Sequence, residues 1–154
     1  MFSPPFPKMY IAYTLIHLLI SALFVAGTFF IDIESNSFGL IATGASAIYP
    51  GQIFVLHQHR AMTRRERLGF SAIASLLSIL VALIIIGATL FLAGVPLTIQ
   101  TLILVLGATG ANFSPPVWAG ILGFGYMLGV VAIYFFVSIL TKTTLKTLDS
   151  GKTI

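Results

Sequence analysis

Apolar residues run along this chain in four long blocks, 9–31, 38–56, 68–93 and 117–140, separated by short polar or charged segments. Each block holds 19 to 26 residues. A helix rises about 1.5 Å per residue, so roughly 20 apolar residues cross the ~30 Å hydrocarbon core of a bilayer, and all four blocks have that length. Strands in lipid must alternate in polarity and close into a barrel, whereas Leu76-Leu-Ser-Ile-Leu-Val-Ala-Leu-Ile-Ile-Ile86 does not alternate. The pattern predicts an all-α membrane protein, a four-transmembrane-helix bundle forming one integral membrane domain over 1–154. The first block exceeds the roughly 7 to 15 apolar residues of a secretion signal and reads as an uncleaved span.

A fifth run, Leu97 to Phe113, lies inside the uncharged segment 94–116 and is at the lower limit for crossing. The distribution of charge decides how it is read. All eight Lys and Arg fall on one side of a four-span chain: Lys8 before the first span, Arg60, Arg64, Arg65 and Arg67 between the second and third, and Lys142, Lys146 and Lys152 after the fourth. Asp32 and Glu34 fall on the other side. Positive loops stay in the cytoplasm, so both termini are expected there, with 141–154 as a cytoplasmic tail. A fifth crossing would carry the C-terminal lysines outside. The segment 94–116 is therefore expected to be an interfacial or re-entrant helix, ended by Gly107, Gly110, Asn112 and Ser114-Pro115-Pro116.

Composition agrees: 58% hydrophobic and 8% charged residues leave too few charges for a water-facing shell, which takes about 25%. The net charge of +4 then signals topology and contact with anionic headgroups, not nucleic acid. With no cysteine, disulfides, thiolate metal sites and cysteine nucleophiles are excluded.

Thr63-Arg-Arg-Glu66 fits a capping box, which predicts that the third helix begins near Arg64. Arg60, Arg64, Arg65 and Arg67 are expected at lipid headgroups, since three arginines in a first helical turn oppose the helix dipole. His17 is the sole Asp, Glu, Lys, Arg or His within the four blocks, about 12 Å along the first helix from Met9. An ionisable residue at that depth is a candidate proton relay or ligand contact. The alternative is a neutral ring bonded to a neighbouring helix, for instance to Ser71, Ser75 or Ser78, or to a backbone carbonyl. Those serines are spaced i, i+4, i+7 and share one helix face. Gly125-x-x-x-Gly129 and Ala47-x-x-x-Gly51 are small-residue pairs that let another backbone approach. Pro50 removes a donor and clashes one turn back, so a kink near Ala47 or a helix end is expected. His57-Gln-His59 offers two imidazoles without a third ligand, which is short of a metal site, and no cofactor is expected. No phosphate-binding loop, zinc-protease or serine-hydrolase motif occurs, so the chain reads as non-catalytic.

The stretch Gly51-Gln52-Ile53-Phe54, then Arg60, then Thr63-Arg-Arg-Glu66-Arg67 resembles an uncharacterised family of small four-span bacterial inner-membrane proteins, with Met62 where the pattern often has proline. The resemblance implies a multi-pass fold in the bacterial inner (cytoplasmic) membrane and supplies no activity. By size and span count the chain also looks like membrane immunity proteins. The expected function is binding of another membrane protein, most concretely immunity against a pore-forming effector through Leu97 to Phe113 and the Gly125 to Gly129 face. The alternatives are a small dimeric transporter or channel using His17, the serine stripe and the Pro50-Gly51 break, or an accessory subunit of a larger membrane complex.

Overall fold

The structure is a computed structural model that describes residues 5–31, 38–98, 100–101 and 114–150. It is all-α: α1 (Phe6–Ile31), α2 (Phe38–Ser46), α3 (Ile48–Gln58), α4 (Arg64–Leu92) and α5 (Pro115–Asp149). Among the described residues three helices, α1, α4 and α5, are long and apolar enough to cross a membrane. Only 17% to 22% of their most apolar windows is buried inside the protein. Leu15, Leu19, Leu80, Ile84 and Phe135 are among the many large apolar side chains pointing outward, an arrangement that hydrocarbon favours and water penalises.

Local chemistry sets the helix ends. Prolines occupy the first two positions of α5, where a missing N–H costs nothing, and the Ser114 carbonyl accepts from the Val117 and Trp118 amides at 2.9 and 3.2 Å. The capping box expected at α4 is present: the Glu66 amide donates to Thr63 Oγ1 at 3.3 Å and the Thr63 amide donates to Glu66 Oε2 at 2.8 Å. Gly94, at φ +68°, closes the other end by letting the Val95 amide reach the Leu90 carbonyl at 2.9 Å. The second block is broken where proline chemistry requires it. Ala47 separates α2 from α3, and Pro50 sits in the first turn of α3, where its lost N–H has no partner to miss. With α2 and α3 taken as one broken element, the helices form a ring of four. The broken element touches α1 and α5, and α4 touches the same two from the opposite side.

The core lies at the end of this ring nearest the arginine loop. Met9, Tyr13, Phe54, Met62, Phe70, Ile133 and Val137 pack together there. Tyr10 stacks on Phe70 with ring centroids 5.3 Å apart, and Tyr13 meets Phe70 edge-on at 6.0 Å. At the far end α1 and α4 part, leaving an apolar groove between Val25, Ala26, Ile85 and Leu92.

The fourth apolar block, expected over 117–140, lies within a longer helix: α5 continues unbroken through 141–149 of the expected cytoplasmic tail to Asp149, about 52 Å in all at 1.5 Å per residue. Thr141 and Thr144 are buried in that extension, and Leu140 and Thr141 lie within 4 Å of where a Cβ on Gly51 would be. Arg60 and Arg67, expected at lipid headgroups, also make contacts within the chain. Arg60 makes a two-pronged pair with Glu66 at 2.6 and 2.8 Å and lies over the Phe54 ring, 5.1 Å from its centroid. Arg67 turns toward α5, donates to Ser138 Oγ and covers the Tyr134 ring at 4.9 Å. Arg64 and Arg65 remain exposed. Asp32, Glu34, Lys152 and most of the expected helix Leu97 to Phe113, with its Gly107 and Gly110 breaks, lie outside the described residues.

Candidate functional site

Where α1, α2, α4 and α5 converge, near the middle of the three long helices, there is a partly open cleft of about 400 Å³. That is at the lower end of the roughly 300 to 1,000 Å³ typical of small-molecule sites. His17 and Ser21 line it from α1, Thr43 from α2, Ser75 and Ser78 from α4, and Gly125 and Gly129 from α5, with Ile79 and Leu128 as apolar wall. Five of the six residues singled out in the sequence as candidate contacts thus meet in one place.

Each arrives by a different route. His17 is 5% exposed and stacks on Tyr13, one turn earlier, with centroids 5.7 Å apart. Its partner is not one of the α4 serines. Nδ1 lies 3.2 Å from Ser46 Oγ, on the last turn of α2, because the break at Ala47 turns that helix end toward α1. Ser75 donates across the interface to the Tyr126 carbonyl at 3.1 Å, and Ser78 Oγ sits 2.7 Å from the Tyr13 hydroxyl. Ser71, the first of the stripe, does not reach the cleft. It is fully buried, and its Oγ makes no hydrogen bond among the described residues.

The glycine pair also divides. A Cβ on Gly129 would stand 2.5 Å from Ser75 Oγ, so α4 and α5 approach there as a small-residue motif allows. A Cβ on Gly125 would meet nothing within 4 Å, because Gly125 opens onto the cleft. Gly51 serves packing within the chain, against α5.

At the arginine-loop end, Glu66 is the acid that organises the connection. The Arg60 guanidinium beside it, reinforced by the Thr63 amide and hydroxyl, holds its carboxyl down at about 2 against partial burial that acts the other way. His59 closes α3 with φ 50°, its amide donating to the Val55 carbonyl at 2.8 Å, so the loop geometry uses its backbone. No group of three His, Cys, Asp or Glu that could hold a metal ion occurs among the described residues.

Sequence reasoning missed Ser46, Thr43, Ser21 and Tyr13 as partners around His17. The i, i+4 spacing of Tyr13, His17 and Ser21 was the available signal, since it sets a polar stripe on an otherwise apolar helix. No protein-family model, no curated protein and no solved structure matches the chain.

Proposed function

We infer that this chain is a non-catalytic, four-span protein of the bacterial inner membrane that binds a small solute in its central cleft, as a small transporter or channel. The observation that carries the reading is the cleft itself. It sets His17, the sole His, Lys, Arg, Asp or Glu of the four apolar blocks, against a discontinuous helix, with hydroxyl and glycine positions around it. Membrane transporters place substrate sites at broken helices near the midplane because interrupted backbone and polar side chains are tolerated where they line a cavity. The broken element α2–α3, about 30 Å long in total, supplies the fourth crossing. The one-sided Lys and Arg pattern sets both ends in the cytoplasm. The likeness of residues 51–67 to small four-span inner-membrane proteins supports the same fold and location.

The test is proton flux into liposomes loaded with a pH-sensitive dye. His17→Ala and Gly125→Leu should each reduce it. The second fills the cleft from a position where added atoms meet open space. Flux unchanged by both variants removes the cleft from the mechanism.

A second reading, capture of another membrane protein as in immunity to a pore-forming effector, is favoured by a separate observation. Gly120 and Gly123 of α5 are exposed, with nothing within 4 Å of an added Cβ, so a foreign helix has room to approach. Photo-crosslinking from positions 120 and 123 in intact cells should then yield one protein of constant identity, and crosslinks to lipid alone count against it.

A further inference from the structure

We propose that the cleft takes an uncharged, membrane-soluble alcohol or phenol whose O–H donates to Nε2 of His17. This rests on the reading of the cleft as a solute site and deepens it by naming the chemistry of the solute.

Ser46 has one hydroxyl proton and donates it to the Ala42 carbonyl at 2.6 Å. It can therefore only accept from His17 at 3.2 Å, which puts a proton on Nδ1, and with no carboxylate among the described lining residues the ring stays neutral, since an unpaired charge at that depth is costly. The ring also bonds the Ala42 carbonyl, which can only accept and lies beside Ser46 Oγ, so one N–H serves both oxygens and Nε2 is left as a lone pair on a side chain that lines the cleft. Of the other lining hydroxyls, those of Thr43, Ser75 and Ser78 have spent their protons in the same way. Thr43 donates to the Gly39 carbonyl at 2.7 Å and Ser75 to the Tyr126 carbonyl at 3.1 Å. Ser78 and Tyr13, 2.7 Å apart, have the Ala74 and Thr43 carbonyls as their acceptors, so both protons stay within that group. What the walls offer is lone pairs.

A cleft rich in acceptors and poor in donors selects a ligand that brings a proton. Anions are refused, since no Lys or Arg among the described residues lines the site. Metal and organic cations are refused as well, because no Asp or Glu among the described residues lines it and an unpaired charge at that depth is costly, whereas a proton can pass through the imidazole itself. An alcohol or phenol is neutral, and one turn beyond His17 the unpaired hydroxyl of Ser21 can donate to the same oxygen. Ile79, Ala82 and Leu128 receive the apolar body.

The experiment uses the full chain in lipid nanodiscs, labelled with ¹⁵N-histidine. It is titrated with para-alkyl phenols of one to six carbons and with their methyl ethers, which have the same body and no O–H. The expected result is a saturable shift of the His17 Nε2 resonance by at least one phenol, with the matching ether binding about tenfold more weakly or worse. His17→Phe should abolish that preference, and Gly125→Leu should weaken both probes. Equal affinity of phenol and ether overturns the donor assignment and leaves the solute site standing. If no probe perturbs His17 or any cleft resonance, both the proposal and the solute-site reading fall.

Discussion

Replacing Gly129 by alanine adds one methyl group where α4 and α5 approach closely. Its Cβ would lie 2.5 Å from Ser75 Oγ, about 0.9 Å inside the 3.4 Å at which ordinary contact begins. Ser75 is itself buried and donates to the Tyr126 carbonyl at 3.1 Å, so its hydroxyl cannot turn away without giving up that bond. Overpacking of this kind costs about 1–3 kcal/mol, and a hydrogen bond between membrane helices is worth about 0.6 kcal/mol. Against this, alanine is better than glycine in a helix by about 1 kcal/mol. The net expectation for Gly129→Ala is a loss of about 1–2 kcal/mol. Gly125→Ala, one turn away and facing open space, receives the helix term alone and should be neutral or slightly stabilising. The two variants differ by one methyl at either end of the same motif, so the contrast of about 2 kcal/mol isolates packing from helix propensity. Apparent unfolding in detergent micelles, followed by circular dichroism against rising denaturant, measures it. Adding Ser75→Ala to Gly129→Ala should recover part of the loss, because the clashing oxygen is gone. The reasoning is refuted if Gly129→Ala is as stable as Gly125→Ala, or if removing the Ser75 hydroxyl makes the alanine variant worse.

Other outcomes follow from the arginine-loop end. Thr63→Ala should cost about 1 kcal/mol by removing the cap of α4, measurable in the same unfolding assay, while Arg65→Met should stay within about 0.5 kcal/mol because its side chain is exposed. Arg67→Met loses the Ser138 bond and the Tyr134 contact and should cost about 1–2 kcal/mol, where an effect no larger than that of Arg65→Met would place the guanidinium elsewhere. Glu66, held down at about 2 from an ordinary 4.5, adds stability that is fully present above about 4.5 and lost as pH falls toward 2. Glu66→Gln should flatten the stability profile over that acid window, and an unchanged slope would show that the Arg60 pair is not maintained. The chain has no cysteine, so a single His59→Cys reports topology directly: a membrane-impermeant maleimide should label it only after cells are opened.

What could be read before any tertiary structure shares one property, that its cause lies within a few residues along the chain. The capping box involves Thr63 and Glu66, three positions apart, and follows from backbone donors that every helix start leaves open. The break before Pro50 follows from a missing N–H and a clash one turn back. The long apolar blocks need only counting against the thickness of a bilayer. The reach of α5 failed this test. Lysines after residue 140 suggested a cytoplasmic tail and said nothing of its packing, whereas Thr141 and Thr144 are buried because the extension still has α3 beside it.

Local pattern specified an all-helical chain with spans long and apolar enough for a bilayer, the places where its helices start and break, and a single imidazole within the apolar blocks. It named candidates for the site without joining them. Which hydroxyl meets His17 depends on Ser46, 29 residues away on a separate helix, and no local pattern encodes that distance. Gly125 and Gly129 are equivalent in the motif and opposite in role, one opening onto the cleft and the other pressed against Ser75. Tertiary structure decided both, because contact between membrane helices is set by the crossing of whole surfaces. Lipid rewards burial of apolar groups far less than water does, so small shape and hydrogen-bond differences between distant segments select the pairing.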